Sequence, residues 1–356
     1  MRRWADSQVT QSSSERSEFS SPGMTASIPS DSILEQARVQ ADAGAWNEVL
    51  ALLEPRAATC QRDGASSLLY GEALIYTGHP RKAARWLRGT EPALGEAGDK
   101  AAQRRAVNMI GAACLALGDL DVASSEFTRA RELAAQAEDL LVFARATNNL
   151  GLIANMQGDH ERALSHYRLA LPTFQRLGQR RGLASSYHNL AITYRDLGEL
   201  EEADEHELRA IEHAIDGGVP RLAAMGRIGR AEVALRRGDA AFAESTARIA
   251  REEFARLGDA QNETDAWRLV GAACLAQGRH ADAHEAFAIA LQIARARGHA
   301  LNEAETLRDR ATLNLAQGEI ASAADDAQAA IAIFDRLGAS RESAALRERL
   351  GDSRSS

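Results

Sequence analysis

Residues 101–139 read AAQRRAVNMIGAACLALGDLDVASSEFTRARELAAQAED, and this stretch decides the fold. Val107, Ile110, Cys114 and Leu117 fall at helical spacing. Gly118 then supplies a residue able to turn left-handed and end the helix. Asp119 follows, an acid suited to cap the next helix or sit in its first turn, where the dipole favours negative charge. A second helix runs through Ala123, Phe127, Ala130 and Leu133. The stretch is a helical hairpin with a very short inner turn.

The hairpin recurs every 40 residues. Its turn glycine returns at Gly78, Gly118, Gly158, Gly198, Gly238, Gly278 and Gly318, and an alanine five residues later at Ala83, Ala123, Ala163, Ala203, Ala243, Ala283 and Ala323. The position after the glycine is acidic at Asp119, Asp159, Glu199, Asp239 and Glu319, with Arg279 the exception. A second glycine series, Gly178, Gly218, Gly258, Gly298 and Gly338, closes the second helices. Fixed-period self-similarity of this kind predicts an all-α stacked array in which each unit touches its neighbours.

The pattern resembles the tetratricopeptide repeat (TPR). The small residue of that motif's first helix matches Gly111, Gly151, Ala191, Ala231, Gly271 and Ala311, and its late second-helix alanine matches Ala130, Ala170, Ala210, Ala250, Ala290 and Ala330. The usual unit is 34 residues. The 40-residue unit is similar to the longer-helix subclass of kinesin light chain, GoLoco-binding spindle adaptors and bacterial sensor domains. The resemblance implies a right-handed superhelical solenoid of about eight hairpins. The expected units are 31–64, 65–100, 101–139, 140–179, 180–218, 219–259, 260–299 and 300–339, with a capping helix at 340–352 and a tail at 353–356. Residues 1–29 are polar and Ser-rich and are expected to be disordered. Met24, after Ser-Pro-Gly, is a candidate start. The stretch RGTEPALGEAGDK (88–100) diverges from the pattern.

Composition narrows the function. The net charge of -8 disfavours a whole-molecule nucleic-acid binder. No aromatic-plus-basic stripe or two-residue base code is visible. No stretch approaches a membrane span, and the N-terminus lacks the apolar core of a secretory signal. Cys60, Cys114 and Cys274 show no metal spacing and fit a reducing, cytoplasmic compartment. Of 42 basic residues only Lys82 and Lys100 are lysine, a bias that fits a GC-rich bacterial coding sequence. His280 and His284 are four apart, but Ala281 stands where a zinc protease needs glutamate, so neither metal nor cofactor is expected. No phosphate loop, nucleophile elbow or dinucleotide fingerprint occurs. Catalytic residues favour loops, and the inner turns are too short to hold them. The expectation is a non-enzyme.

TPR resemblance implies that the first helices line a concave wall. Stacking the repeats in register brings Arg105 and Arg145 to one column, Asn108, Asn148 and His188 to the next, then Asn149 and Asn189, and finally Asn155 and Arg195. A carboxamide both donates and accepts, so it can pair with a peptide's C=O and N–H together. Neighbouring helices stand about 10 Å apart, and three extended residues span about the same distance. Asn108, Asn148 and Asn189 therefore suit every third residue of an extended peptide. Arg105, Arg145 and Arg195 suit acidic side chains or a free C-terminal carboxylate. The competing reading is an ordinary solvated helix face. Downstream, Glu232, Arg236, Asp265, Arg268, Glu305, Arg308 and Asp309 suggest stacked ion pairs between repeats.

The sixth unit is irregular. Met225-Gly226-Arg227-Ile228-Gly229-Arg230 sets two glycines inside a helix, each costing about 1 kcal/mol relative to alanine. It reads either as a hinge or locally opened groove, or as a register shift or loosely packed repeat. The expected function is a protein-interaction scaffold holding a partner's peptide segment. The alternative is a regulatory sensor of a small ligand or signalling peptide, with its output partner on another chain.

Overall fold

The computed structural model describes residues 31–61 and 63–353; the expectations for residues 1–29 and for Met24 lie outside them. The described residues form helices throughout, with no strand. In order they are α1 (Asp31–Asp42), α2 (Trp46–Leu53), a 3-10 turn (Glu54–Arg56), α3 (Ala57–Cys60), α4 (Gly64–Tyr76), α5 (Pro80–Glu96), α6 (Lys100–Ala116), α7 (Leu120–Gln136), α8 (Leu140–Met156) and α9 (His160–Arg176). There follow α10 (Arg180–Leu197), α11 (Leu200–Asp216), α12 (Pro220–Arg237), α13 (Ala240–Leu257), α14 (Ala260–Ala276), α15 (His280–Arg297), α16 (Ala300–Ala316), α17 (Ile320–Arg336) and α18 (Ser340–Ser353). The helices divide into two compact units, one ending at Gly182 and the other beginning at Leu183, within α10.

Each hairpin turn closes in the same way. At the end of α6, Gly118 adopts φ +76° and donates to Leu115 O, while Asp119 N–H reaches Cys114 O at 3.1 Å. These two bonds satisfy carbonyls that the ending helix leaves unpaired. The Asp119 side chain then accepts from Val122 N–H and starts α7. Asp99, Asp139, Asp159, Asp239 and Asp259 cap their helices likewise. Glu199 and Glu319 make no side-chain cap bond; the acidic column caps through its aspartates.

The glycine at the end of the second helix has one exception. Glu138 holds φ +54° where Gly98, Gly178, Gly218, Gly258, Gly298 and Gly338 occupy the equivalent positions. The stretch 88–100, divergent in sequence, is the second half of α5 and its turn. Pro92 lies inside that helix, and Thr90 Oγ1 donates back to Trp86 O and Leu87 O.

Within a hairpin, the two helices approach by matching sizes. Phe127, Tyr167 and Phe287 are fully buried and occupy one column, 40 residues apart or a multiple of it. Each faces a first-helix glycine: a Cβ on Gly111, Gly151 or Gly271 would stand 2.6–2.7 Å from the ring. Where the column holds Glu207, Ala247 or Ala327, the facing residue is Ala191, Ala231 or Ala311. The small residue is thus set by the bulk across from it.

Glu207 replaces the aromatic with a carboxylate that is 1% exposed. It explains Gly229 of α12, and the neighbouring Ile211 of α11 explains Gly226. A Cβ on Gly229 would stand 1.9 Å from Glu207 Oε1, and one on Gly226 would meet Ile211 at 2.7 Å. Helix α12 is unbroken across both glycines. Its arginines are engaged: Arg227 with Glu253 at 2.7 Å, and Arg230 with Asp204 at 2.7 Å and over the Phe242 ring at 4.9 Å. The irregular unit is a close-packed contact around a buried acid, neither loose nor interrupted.

Two substitutions should act with opposite sign. Glu138→Gly relieves a left-handed residue and should raise stability by about 1 kcal/mol. Gly229→Ala drives a methyl into the Glu207 carboxylate and should lower it by about 1–3 kcal/mol. Urea unfolding followed by circular dichroism measures both.

Candidate functional site

The first unit has an inner wall. Helix α6 packs on both α4 and α8, whereas no comparable packing joins α5 to α7 or α7 to α9. The first helices of the hairpins are therefore closer together than the second helices. A side-chain contact over the same wall supports this. Arg181, at the start of α10, donates to Tyr76 Oη on α4 and holds its guanidinium 5.6 Å from the Tyr76 ring. Helices α6 and α8 come between those two in the chain.

Arg105 on α6 and Arg145 on α8 are exposed on this unit. Neither makes an ion pair among the described residues, although Arg104 beside them binds Asp139 at 3.0 Å. Arg145 is exposed, yet neighbouring protein partly desolvates its charge. Desolvation pushes its guanidinium below the usual arginine value, and the charges of Arg105 and Arg181 push the same way, against Glu72 and Tyr76. Asn108 and Asn149 are half-buried, and Asn148 is buried. The buried Asn108 Oδ1 has no hydrogen-bond partner. Asn155 departs from the expected placement. It is 1% exposed, and its Oδ1 accepts from His160 Nδ1 at 2.9 Å, so its carboxamide is spent on the hairpin turn.

The second unit uses its columns differently. His188 Nδ1 lies 2.9 and 3.0 Å from the two oxygens of Glu207. Arg195 pairs with Glu232, and its carbonyl accepts from Arg236 at 2.6 Å. Asn189 is half-buried. Arg268, 5% exposed, sits among Asp309 at 2.7 Å, Asp265 at 3.6 Å, Glu305 at 3.7 Å and Glu232 at 3.9 Å. Burial works against the charge of Asp309, but Arg308 and Arg268 outweigh it and hold the carboxyl below its ordinary value. Of the stacked ion pairs expected downstream, those of Arg268 with Glu232, Glu305 and Asp309 join neighbouring repeats and draw in Arg195 through Glu232, whereas Arg308 pairs with the adjacent Asp309 and Arg236 bonds a backbone carbonyl.

Residues 142–216 match the family model of the tetratricopeptide repeat. That stretch belongs to the tetratricopeptide repeat family, and the other described residues repeat the same helical hairpin. Among solved structures, this chain is similar to a Rap protein complexed with Competence and Sporulation Factor, at 15% identity and TM-score 0.62, over 90% of this chain and 96% of that one. It is also similar to the Rap conjugation gene regulator of the plasmid pLS20 in complex with the Phr* peptide, at 16% identity and TM-score 0.61, over 79% and 76% of the two chains. A third likeness is to a chain of the APC/C hetero-tetramer Cut9-Hcn1, at 17% identity and TM-score 0.62, over 85% of this chain. This chain spans 53% of that one, about half its length. Likeness at such identity shows the fold alone. No curated protein sequence matches. No helix among the described residues is long and apolar enough to cross a membrane.

Sequence columns did not mark Arg181 or Tyr76. Arg181 precedes the column residue Ser185 by one helical turn, and its partner lies 105 residues away. Glu207 was also missed; its signal was the aromatic column it interrupts.

Glu207 should give the stability of the folded chain a pH dependence. Burial raises its carboxyl above the ordinary 4.5, and Glu232 adds to this; His188 and Arg195 pull the other way but do not cancel it. The folded chain therefore holds this proton more tightly than the unfolded chain. The resulting stability is complete below about pH 4.5 and is lost as pH rises through the raised value. Against Glu207→Gln, wild type should lose ground steadily as pH rises from 4 to 8 in urea melts. A constant difference between the two proteins would contradict this assignment.

Proposed function

We propose that this chain is a non-catalytic protein-interaction scaffold that holds a peptide segment of a partner against the inner wall of its first unit. The observation behind the reading is the contrast between two kinds of wall residue. In the second unit the wall cations are satisfied internally. In the first unit Arg105 and Arg145 face solvent without an acidic partner, beside the half-buried Asn149 and the unpartnered Asn108 oxygen. Exposed guanidiniums bind carboxylates through paired hydrogen bonds, and carboxamides suit a peptide backbone. His188, Arg195 and Asn155 are left out of the reading, because Glu207, Glu232 and His160 already occupy them. Asn148 stays within it as a neighbouring column, whereas Asn189 belongs to the second unit and is left out. The Rap structures, which hold a factor or a peptide, support peptide binding as something this fold does.

Those same structures favour one second reading, a sensor whose response to a peptide is passed to another chain. A peptide-induced change in oligomeric state, measured by light scattering, separates a sensor from a passive scaffold.

Selection from a random peptide library should enrich binders to the wild-type chain. Their affinity should fall at least about tenfold in the Arg105→Ala, Arg145→Ala, Asn108→Ala triple variant, since each charge-assisted bond is worth about 1.5–3 kcal/mol. Absence of enrichment, or binders indifferent to the triple variant, would refute the scaffold reading at this wall.

A further inference from the structure

Two residues at the α7–α8 turn break with their repeat columns, and both line one cavity. Glu138 holds the left-handed φ of +54° that glycine holds at the equivalent turns. Leu140 opens α8, whereas Lys100, Arg180, Pro220, Ala260, Ala300 and Ser340 open the equivalent helices. The cavity measures about 430 Å³, within the range of roughly 300–1,000 Å³ that small-molecule sites occupy. Ala134 helps to leave that space: it is small where Leu94, Phe174, Phe254 and Phe334 stand in the same column, a feature it shares with Ala214 and Ala294. Ala134 is fully buried, Phe143 half-buried and Leu140 39% exposed, so the lining is apolar and reachable from solvent. Phe143 is anchored against a cluster that includes Val107, Ala130 and Ala146.

The same cavity carries one available charge of each sign. Glu138 supplies the carboxylate, and Arg176, the last residue of α9, supplies a guanidinium. Both are exposed, and among the described residues neither makes an ion pair. Asp139 also lines the cavity, but its oxygens are spent: Oδ1 accepts from Val142 N–H at 3.2 Å and Oδ2 from Arg104 at 3.0 Å. A left-handed residue with a side chain is strained, and strain of this kind gathers at functional sites. Glycine would relieve it, as at six other turns, but would also take the carboxylate out of the cavity.

We infer that this cavity binds a small apolar zwitterion of amino-acid or dipeptide size, with its ammonium on Glu138, its carboxylate on Arg176 and its apolar group against Leu140 and Phe143. A cation alone would be repelled by Arg176, and an anion alone by Glu138; a ligand bearing both charges gains a charge-assisted bond from each. The site is built from the ends of α7 and α9 and the start of α8. It does not depend on the reading of the inner wall as a peptide-binding surface.

Calorimetric titration with L-phenylalanine and with phenylalanyl-phenylalanine tests the inference, with N-acetyl-phenylalanine, phenylalanine amide and glycine as comparisons. At least one of the two zwitterions should bind one to one with a dissociation constant of about 1 mM or tighter. Tighter binding of phenylalanine assigns a free amino acid, and tighter binding of the dipeptide a short peptide. The acetyl compound lacks the ammonium, the amide lacks the carboxylate and glycine lacks the apolar group, so each should bind about tenfold more weakly. Glu138→Gln and Arg176→Gln should each weaken the zwitterion about tenfold, and Leu140→Ser should weaken it too. Glu138→Gly should melt above wild type and still lose the ligand, a combination that a purely structural glutamate would not give. Failure of both zwitterions to bind at that level would overturn the inference, as would full affinity in Glu138→Gly or Arg176→Gln. Acetyl-phenylalanine binding as tightly as phenylalanine would make this an anion site, and the amide binding as tightly would make it a cation site; either result overturns the zwitterion assignment.

Discussion

The left-handed turn that ends each helix is the constraint on which the rest depends. Two backbone bonds tie the turn to the helix it closes, as Gly118 and Asp119 do to Leu115 and Cys114. An L side chain resists that conformation, so glycine recurs and the beat stays at 40 residues. With helix lengths held constant, side chains at one motif position stack from hairpin to hairpin. A wall made of such columns can hold one kind of chemistry over several repeats. Glu138 shows that the geometry outranks the residue: the turn keeps its left-handed form there with a glutamate in place.

Packing inside the hairpin is a second constraint, and it propagates. An aromatic in the second helix requires glycine across from it, as Phe127 does of Gly111. Exchanging that aromatic for Glu207 changes three helices at once. His188 on α10 turns its ring nitrogen to the acid on α11, and Gly229 makes space for it on α12. One buried carboxylate thus accounts for an irregular helix and for a histidine withdrawn from the candidate wall.

The two units spend their charges differently. In the second, Arg195, Arg268 and Arg308 lie in a network with Glu232, Asp265, Glu305 and Asp309. Such a network draws its interaction energy from within and presents little unsatisfied charge to a ligand. In the first, Arg105 and Arg145 keep theirs. Wall residues of similar type in sequence therefore differ in availability, according to whether the next repeat supplies an acid.

The sequence by itself determined the helical hairpin, its 40-residue period, the positions of its turns and the columns that face one another, because these follow from local backbone preferences and residue spacing. It also pointed to Arg105, Arg145 and the asparagines as wall positions. Tertiary structure alone decided which of these stay available. Asn155 is turned into a hairpin bond with His160, His188 into a pair with Glu207, and Arg195 into a pair with Glu232. It alone revealed Arg181 against Tyr76, two residues 105 positions apart. The physical reason is that periodicity fixes where a side chain starts, whereas its partner depends on the distance and direction of other helices, and no spacing along the chain encodes that.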